Sequence, residues 1–237
     1  MQLSVIIPCY NEEKNLPILF NKLRPLLNYE DCEICLVDNG SCDNTYELLK
    51  SFEAKEERVL VVKVNKNKGY GYGILKGLSK AKGNILSWTH ADIQTDPIDI
   101  LTGLKLFEKY GENIFVKGMR YGRPLSDRFF TIGMSLFVSI ILKKFFWDVN
   151  AQPTMFSSNF FQRLLNPPND FSLDLFTYFE ASKNNLKIYR FPVLFKKRLY
   201  GKSSWNISFS SKLKFIKRTI KFTFNLKENI DNGNYST

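Results

Sequence analysis

A single histidine and only four cysteines stand among the 237 residues of this chain. Structural zinc sites are built from paired half-sites of cysteine and histidine. Cys32 and Cys35 form a C-x-x-C, but His90 alone cannot supply the second half, and no helix start carries the pair as redox motifs require. With Cys9 and Cys42 they are expected to be buried or loop thiols of a reducing compartment. A secretory leader is not evident, because Met1-Gln2 runs straight into an apolar segment without a basic region or small-residue cleavage site, and a cytoplasmic location is expected. Long apolar runs are also scarce: between residues 129 and 147 the mainly apolar part before Lys143 is about 14 residues, against the ~20 of a spanning helix. An interfacial helix at about residues 128–147 is expected, with Lys143 and Lys144 near head groups and Trp147 at the boundary, a buried core helix being the alternative.

What the chain does hold is apolar content and positive charge. With 44% apolar residues it can bury one sizeable core, and its length argues against two large domains. The net charge of +11 calls for anionic partners. No nucleic-acid motif appears and the basic residues concentrate after Arg120 beside apolar stretches, so donor phosphates or an anionic membrane surface are favoured over nucleic acid. Lys212 to Phe224 interleaves cations with bulky apolar residues. A basic amphipathic helix is expected over 209–227, followed by a disordered tail over 228–237.

The order of segments predicts the fold. Leu3-Ser4-Val5-Ile6-Ile7-Pro8 is a β-branched strand followed by Cys9-Tyr10-Asn11-Glu12-Glu13 and a helical pattern through Leu16, Leu19, Phe20 and Leu23. Glu33 to Val37 is a second strand, ending in Asp38-Asn39-Gly40-Ser41 before a helix over about 46–55. Val59 to Val64 is a third, ending in a glycine-rich stretch, Asn67-Lys68-Gly69-Tyr70-Gly71-Tyr72-Gly73, before a helix to Lys82. Gly83 to Trp88 is a fourth, ending in His90-Ala91-Asp92-Ile93-Gln94-Thr95-Asp96-Pro97. Strand, polar loop and helix repeated in this way give an α/β, doubly wound, mostly parallel sheet that binds ligands at the carboxyl ends of its strands. Asp92 and Gln94 are two apart, so both can point toward a hard divalent cation; an Asp before a Pro-containing turn also serves as a cap. The glycines fit neither a dinucleotide fingerprint nor a P-loop, and a tight turn that brings Lys66 or Lys68 near phosphates is expected, a plain strand-to-helix turn being the alternative.

These loops, in order and spacing, resemble the signature loops of family 2 glycosyltransferases, in the branch of dolichol-phosphate mannose synthases and bacterial polyprenyl-phosphate glycosyltransferases. The resemblance covers roughly residues 3 to 205. It implies a Rossmann-like GT-A fold with an interfacial helical C-terminal portion, over residues 1–208. It also implies a nucleotide-sugar donor, a divalent metal (Mg²⁺ or Mn²⁺) and inversion at the anomeric carbon. Pro8, Tyr10, Glu12 and Asp38 match residues around the base and ribose. Asp92 matches the metal and diphosphate anchor, with Gln94 and His90 as further candidate ligands and Lys68 near the phosphates. Arg120 and Arg128 match positions that bind the acceptor phosphate, for which a planar bidentate guanidinium is suited. Arg198, with Gly201 and Ser203, is similar to a loop that folds over the donor diphosphate.

Three positions depart from that pattern. His90 replaces the first Asp of the metal motif, Asn39 replaces a second Asp after Asp38, and Ser204 stands where Lys is usual, with Lys202 as its substitute. The expected activity is metal-dependent transfer of a sugar to polyprenyl phosphate at the cytoplasmic face of a membrane, to which the protein attaches peripherally. Two alternatives stay open: transfer to a hydroxyl of a glycan or lipid-linked saccharide with Asp174 as base, and an inactive nucleotide-sugar or membrane-binding module.

Overall fold

The structure, a computed structural model, describes residues 2–201 and 209–232. Lys202, Ser203 and Ser204 lie outside the described residues. The chain forms two compact units, Met1–Gly122 with Ala151–Tyr200, and Arg123–Asn150 with Gly201–Thr237.

The first unit contains β1 (Leu3–Cys9), α1 (Leu16–Leu27), β2 (Cys32–Asp38), α2 (Thr45–Glu53), β3 (Val59–Lys63), α3 (Tyr70–Leu78), β4 (Ile85–Trp88), α4 (Asp99–Tyr110) and β5 (Ile114–Tyr121). The second unit interrupts it with α5 (Leu125–Leu142), after which come β6 (Thr154–Ser157), α6 (Ser158–Gln162), α7 (Leu173–Lys183) and β7 (Lys187–Leu194). The seven strands make one sheet in the order β3-β2-β1-β4-β6-β5-β7. β1 pairs in parallel with both β2 and β4, as do β2 with β3 and β5 with β7; β6 runs antiparallel between β4 and β5. Leu3, Val5, Ile6 and Ile7 are fully buried, as expected for a central parallel strand covered on both faces. Cys32 and Cys35 sit buried on β2, and burial pushes both thiols up to about 12, so they are inert packing groups.

Of the alternating glycines, Gly71 and Gly73 fall inside the first turns of α3 and Gly69 is the non-helical residue just before it. Gly69 has φ of 116°, a value that side chains resist, and a Cβ there would meet the Asn169 carbonyl oxygen at 2.4 Å. At Gly71 a Cβ would meet the carbonyl oxygens of Pro168 at 2.6 Å and Asp170 at 2.7 Å. The glycines therefore let residues 168–170 approach α3, with Tyr72 N donating to Asn169 O at 2.9 Å.

The second unit pairs α5 with α8 (Phe209–Asp231) through ring contacts of Phe130 with Phe215 and of Phe137 with Phe224. This pairing groups the apolar segment with the basic helix in one unit. α5 is an 18-residue helix of mean hydropathy 1.5 that is only 17% buried, longer than the apolar stretch before Lys143 suggests. Among the described residues it is the one helix long and apolar enough, by length and composition, to cross a membrane. It stops at Lys143, whose φ of 52° is left-handed. α8 buries Phe215, Thr223 and Leu226 and exposes Lys214, Lys217 and Lys221. It runs on past Lys227 to Asp231, because Lys227 forms an ion pair with Asp231 one turn ahead.

Replacing Gly71 by alanine drives a methyl group into two backbone carbonyls. The expected outcome is a loss of about 1–3 kcal/mol, measured as a lower urea midpoint with an unchanged m-value.

Candidate functional site

The parallel pairing of β1 with β2 and β4 sets their carboxyl-end loops side by side. Cys9 lies opposite Asp38 in the register and Ile6 opposite Trp88. Beyond the strands the pairing continues, with Asn39 N donating to Cys9 O at 2.8 Å and Thr89 N to Ile6 O at 3.1 Å. Side chains then stitch the first two loops together. Asn11, at φ 55°, donates its N–H to Ser41 Oγ at 3.1 Å and accepts from Cys42 N at 2.8 Å, while Glu12 N donates to Thr45 Oγ1 at 2.9 Å. Pro8 is half-buried, Tyr10 is exposed, and Asp38 is buried with Oδ1 accepting from Ser41 N at 3.0 Å. Asn39 is also buried, its amide donating to Gly69 O at 3.0 Å. This neutral residue is built into the junction of the β2 and β3 loops, where an aspartate would face a carbonyl without a proton to give.

The loop after β4 turns on Ile93, whose φ of 59° is rare for a β-branched residue. Such strain persists only where surrounding contacts hold it, and here it lies between two candidate ligands. Asp92 is buried; its Oδ1 accepts from Gln94 N at 3.1 Å and its Oδ2 from Arg198 Nη2 at 2.5 Å. Arg198 Nη1 also stands 4.0 Å from Glu12 Oε1. Burial pushes the Glu12 carboxyl up from its ordinary value, against the opposing pull of the Asn15 amide and Arg198. The Gln94 side-chain nitrogen donates to Lys196 O at 3.2 Å, which leaves its oxygen as the atom suited to a cation. His90 is half-buried with its ring 5.4 Å from that of Tyr70, which stacks on Phe171 at 4.5 Å. Burial pushes the imidazole pKa down, with Arg120 and Arg198 acting in the same direction and Asp92 and Asp174 opposing. A neutral imidazole is the form that can ligate a metal.

Among the described residues no group of three or more His, Cys, Asp and Glu side chains could hold a metal by itself. Mg²⁺ and similar hard cations are commonly held by one or two carboxylates plus substrate phosphates. Asp92, with the Gln94 oxygen and His90 beside it in sequence, fits a cation shared with a phosphate ligand of that kind. Lys68, expected near phosphates, is exposed with its ammonium 5.2 Å from the Tyr72 ring centroid. Arg120 is the next-to-last residue of β5, half-buried, with its guanidinium 5.2 Å from the Phe195 ring. Arg128 belongs to the second unit, exposed in the first turns of α5.

A buried polar network went unread in the sequence. Lys117 and Asp174 are both within 1% of full burial, with Lys117 Nζ 3.4 Å from Asp174 Oδ1 and 2.6 Å from Thr154 Oγ1. Gln152 Nε2 donates to the same Asp174 oxygen at 2.8 Å and to Tyr70 Oη at 3.2 Å. The signal was a lysine in the apolar strand Ile114-Phe115-Val116, a position where a charge is tolerated only with a partner. Lys117→Met and Asp174→Asn should each cost about 3–5 kcal/mol by stranding the other charge, and the double variant should cost markedly less than their sum. Denaturant unfolding of the four proteins measures this coupling; additive losses would show that the pair is not an energetic unit.

Comparison with known proteins is consistent across three kinds of likeness. The model of "Glycosyl transferase family 2" matches residues 4–173. An undecaprenyl-phosphate 4-deoxy-4-formamido-L-arabinose transferase of Photorhabdus laumondii is 32% identical over 111 residues, 46% of this chain and 34% of that protein. A dolichol-phosphate mannosyltransferase of Pyrococcus furiosus is 35% identical over 121 residues, 51% of this chain and 34% of that protein. The matches thus span about a third of the length of these curated relatives. Among solved structures, a glucosyl-3-phosphoglycerate synthase from Mycobacterium tuberculosis, in complex with Mn²⁺, UDP-glucose and phosphoglyceric acid, superposes with a TM-score of 0.71. The identity is 17%, over 95% of this chain and 79% of the other. A mannosyltransferase from Pyrobaculum calidifontis, in complex with GDP-mannose and Mn²⁺, gives a TM-score of 0.60 at 19% identity, over 85% of this chain and 58% of the other. The fold is GT-A. With its stitched carboxyl-end loops and a family match over most of its length, the chain belongs to glycosyl transferase family 2.

Proposed function

We propose that the protein transfers a sugar from a nucleotide-diphosphate donor to polyprenyl phosphate, with inversion, at the cytoplasmic face of a membrane. The observation that carries this reading is the state of Asp174. A hydroxyl acceptor needs a carboxylate free to take its proton, whereas Asp174 is enclosed and bound to Lys117 and Gln152. A phosphate acceptor needs none, since its oxygen is already anionic. That oxygen attacks the anomeric carbon as the bond to the nucleoside diphosphate breaks on the opposite side, and a single displacement inverts the centre. The names of the curated relatives, an undecaprenyl-phosphate and a dolichol-phosphate transferase, support the same acceptor class.

In this reading Pro8, Tyr10, Glu12 and Asp38 receive the nucleoside, and Asp92 anchors the diphosphate end, with Gln94 and His90 as the other candidate ligands. Asp92, with the Gln94 oxygen and His90, would hold a divalent metal, which when bound would supply positive charge at the diphosphate. Arg198 lies beside Asp92 and is placed to meet the same phosphates, whereas Lys68, turned to Tyr72, has the weaker claim. Arg120, in the first unit, and Arg128, in the second, are each assigned to binding of acceptor phosphate, for which the guanidinium fork is suited. The second unit supports attachment to an anionic membrane surface. Leu125, Phe129, Leu136 and Ile140 form an exposed apolar stripe on α5, with Phe129 71% and Ile140 72% exposed, while α8 exposes Lys214, Lys217 and Lys221.

The test is transfer of labelled sugar from a panel of nucleotide sugars to undecaprenyl phosphate. The product is expected to be an alkali-stable, acid-labile lipid, and an acid-stable glycoside formed on an alcohol acceptor would contradict the proposal. Arg120→Ala and Arg128→Ala should each depress transfer at least about tenfold with little change in donor affinity, and lysine should rescue only partly because it lacks the fork. Loss of donor affinity with an unchanged acceptor KM would move these arginines to the diphosphate.

A further inference from the structure

Arg198 is fastened where a metal would have to bind. Phe195 N donates to Tyr121 O at 2.9 Å, Lys196 N to Gln94 O at 2.7 Å, and the Gln94 amide returns a bond to Lys196 O at 3.2 Å. Beyond the arginine, Asn15 Nδ2 donates to Tyr200 O at 3.5 Å. The segment after β7 is thus strapped to the β4 loop on one side and to the start of α1 on the other. Between these fastenings the guanidinium contacts Asp92 at 2.5 Å and stands 4.0 Å from Glu12, with side chains 22%, 8% and 13% exposed respectively. Both Asp92 oxygens are engaged, one by Gln94 N and one by Arg198.

We propose that Arg198 makes the Asp92 site discriminate against a bare divalent cation and in favour of one that arrives with a diphosphate. The proposal rests on the reading of Asp92 as the metal and diphosphate anchor. A cation arriving alone must break a short charge-assisted bond in a part-buried site and leave the strapped guanidinium beside a second positive charge. A cation carrying a diphosphate brings anionic oxygens to which the same guanidinium can donate as a fork, so one ion pair is exchanged for another. Arg198 thereby acts as a specificity determinant for the loaded donor: it couples metal entry to phosphate entry, and the site binds a cation more weakly while no diphosphate is present.

The experiment uses the whole chain and needs no turnover. Binding of Mn²⁺ alone, and of Mn²⁺ premixed with inorganic pyrophosphate, is followed by calorimetry and by loss of the free Mn²⁺ resonance signal, for wild type, Arg198→Ala, Arg198→Lys and Asp92→Asn. Melting temperature without ligand confirms that each variant folds. Arg198→Ala should bind bare Mn²⁺ about tenfold more tightly than wild type, the effect of removing one charge-assisted competitor, and its preference for Mn²⁺ with pyrophosphate should collapse. Arg198→Lys, which keeps the charge, should stay close to wild type for bare Mn²⁺. Unchanged or weaker Mn²⁺ binding in Arg198→Ala, while Asp92→Asn abolishes it, would overturn the proposal and leave the anchor intact. Tightening of equal size in Arg198→Lys would also overturn it, since charge would then not be the agent. Unaltered Mn²⁺ binding in Asp92→Asn would remove the anchor itself, and the proposal with it.

Discussion

The parallel pairing of β1 between β2 and β4 is the constraint on which the site depends. A parallel strand cannot return by a tight turn, so each strand must be followed by a helix that crosses back. Every carboxyl end in this part of the sheet therefore opens into a loop on the same edge. With β1 in the centre, the loop carrying Glu12, the loop carrying Asp38 and the loop carrying Asp92 become neighbours without any further device. The antiparallel β6, wedged between β4 and β5, ends the parallel run next to β4. The side-chain stitching of Asn11 to Ser41 and Cys42, and of Glu12 to Thr45, fixes what the strands have already brought close.

Charge is handled differently at the two depths of the first unit. Lys117 and Asp174 are sealed from water and bound to Thr154 and Gln152, an arrangement whose net worth lies in not leaving either charge alone. Asp92, Arg198 and Glu12 form a second charged group that is less completely enclosed, the Arg198 side chain being 22% exposed. The buried pair holds a carboxylate away from proton chemistry, while in the second group both Asp92 oxygens are engaged, by Gln94 N and by Arg198. A chain with a net charge of +11 draws anionic ligands, and in the proposed reading it is Asp92 that lets a metal join them.

The strands and their loops were legible because β-branched runs such as Val5-Ile6-Ile7 and Val61-Val62 end in polar, turn-forming residues, and a parallel sheet needs little more than that signal. β6 was not, since Thr154-Met155-Phe156-Ser157 is too short to show a period. The glycines of α3 were legible as a turn but not as a place where another segment packs, because residues 168–170 are remote in sequence. The candidate site was legible in Asp92 and Gln94, two apart on one loop. Its pairing with Arg198 was not, since 106 residues separate the partners and no spacing rule reaches across them. Lys117, a cation inside an apolar strand, went unread, and its partner Asp174 was read only as a candidate base. Local pattern thus supplied the elements, and the ion pairs between elements needed the fold.

The central claim is that Asp92, at the carboxyl edge of the sheet, joins a nucleotide-sugar diphosphate to a divalent cation. Thermal unfolding of wild type and Asp92→Asn across a panel of nucleotide sugars, with and without Mn²⁺ or Mg²⁺, tests it most directly, because a ligand bound only by the folded state raises the melting temperature. The account predicts that a nucleotide sugar stabilises the wild type in a metal-dependent way and that Asp92→Asn, while still folding cooperatively, loses the metal-dependent part. Equal metal-dependent stabilisation of both proteins would contradict it.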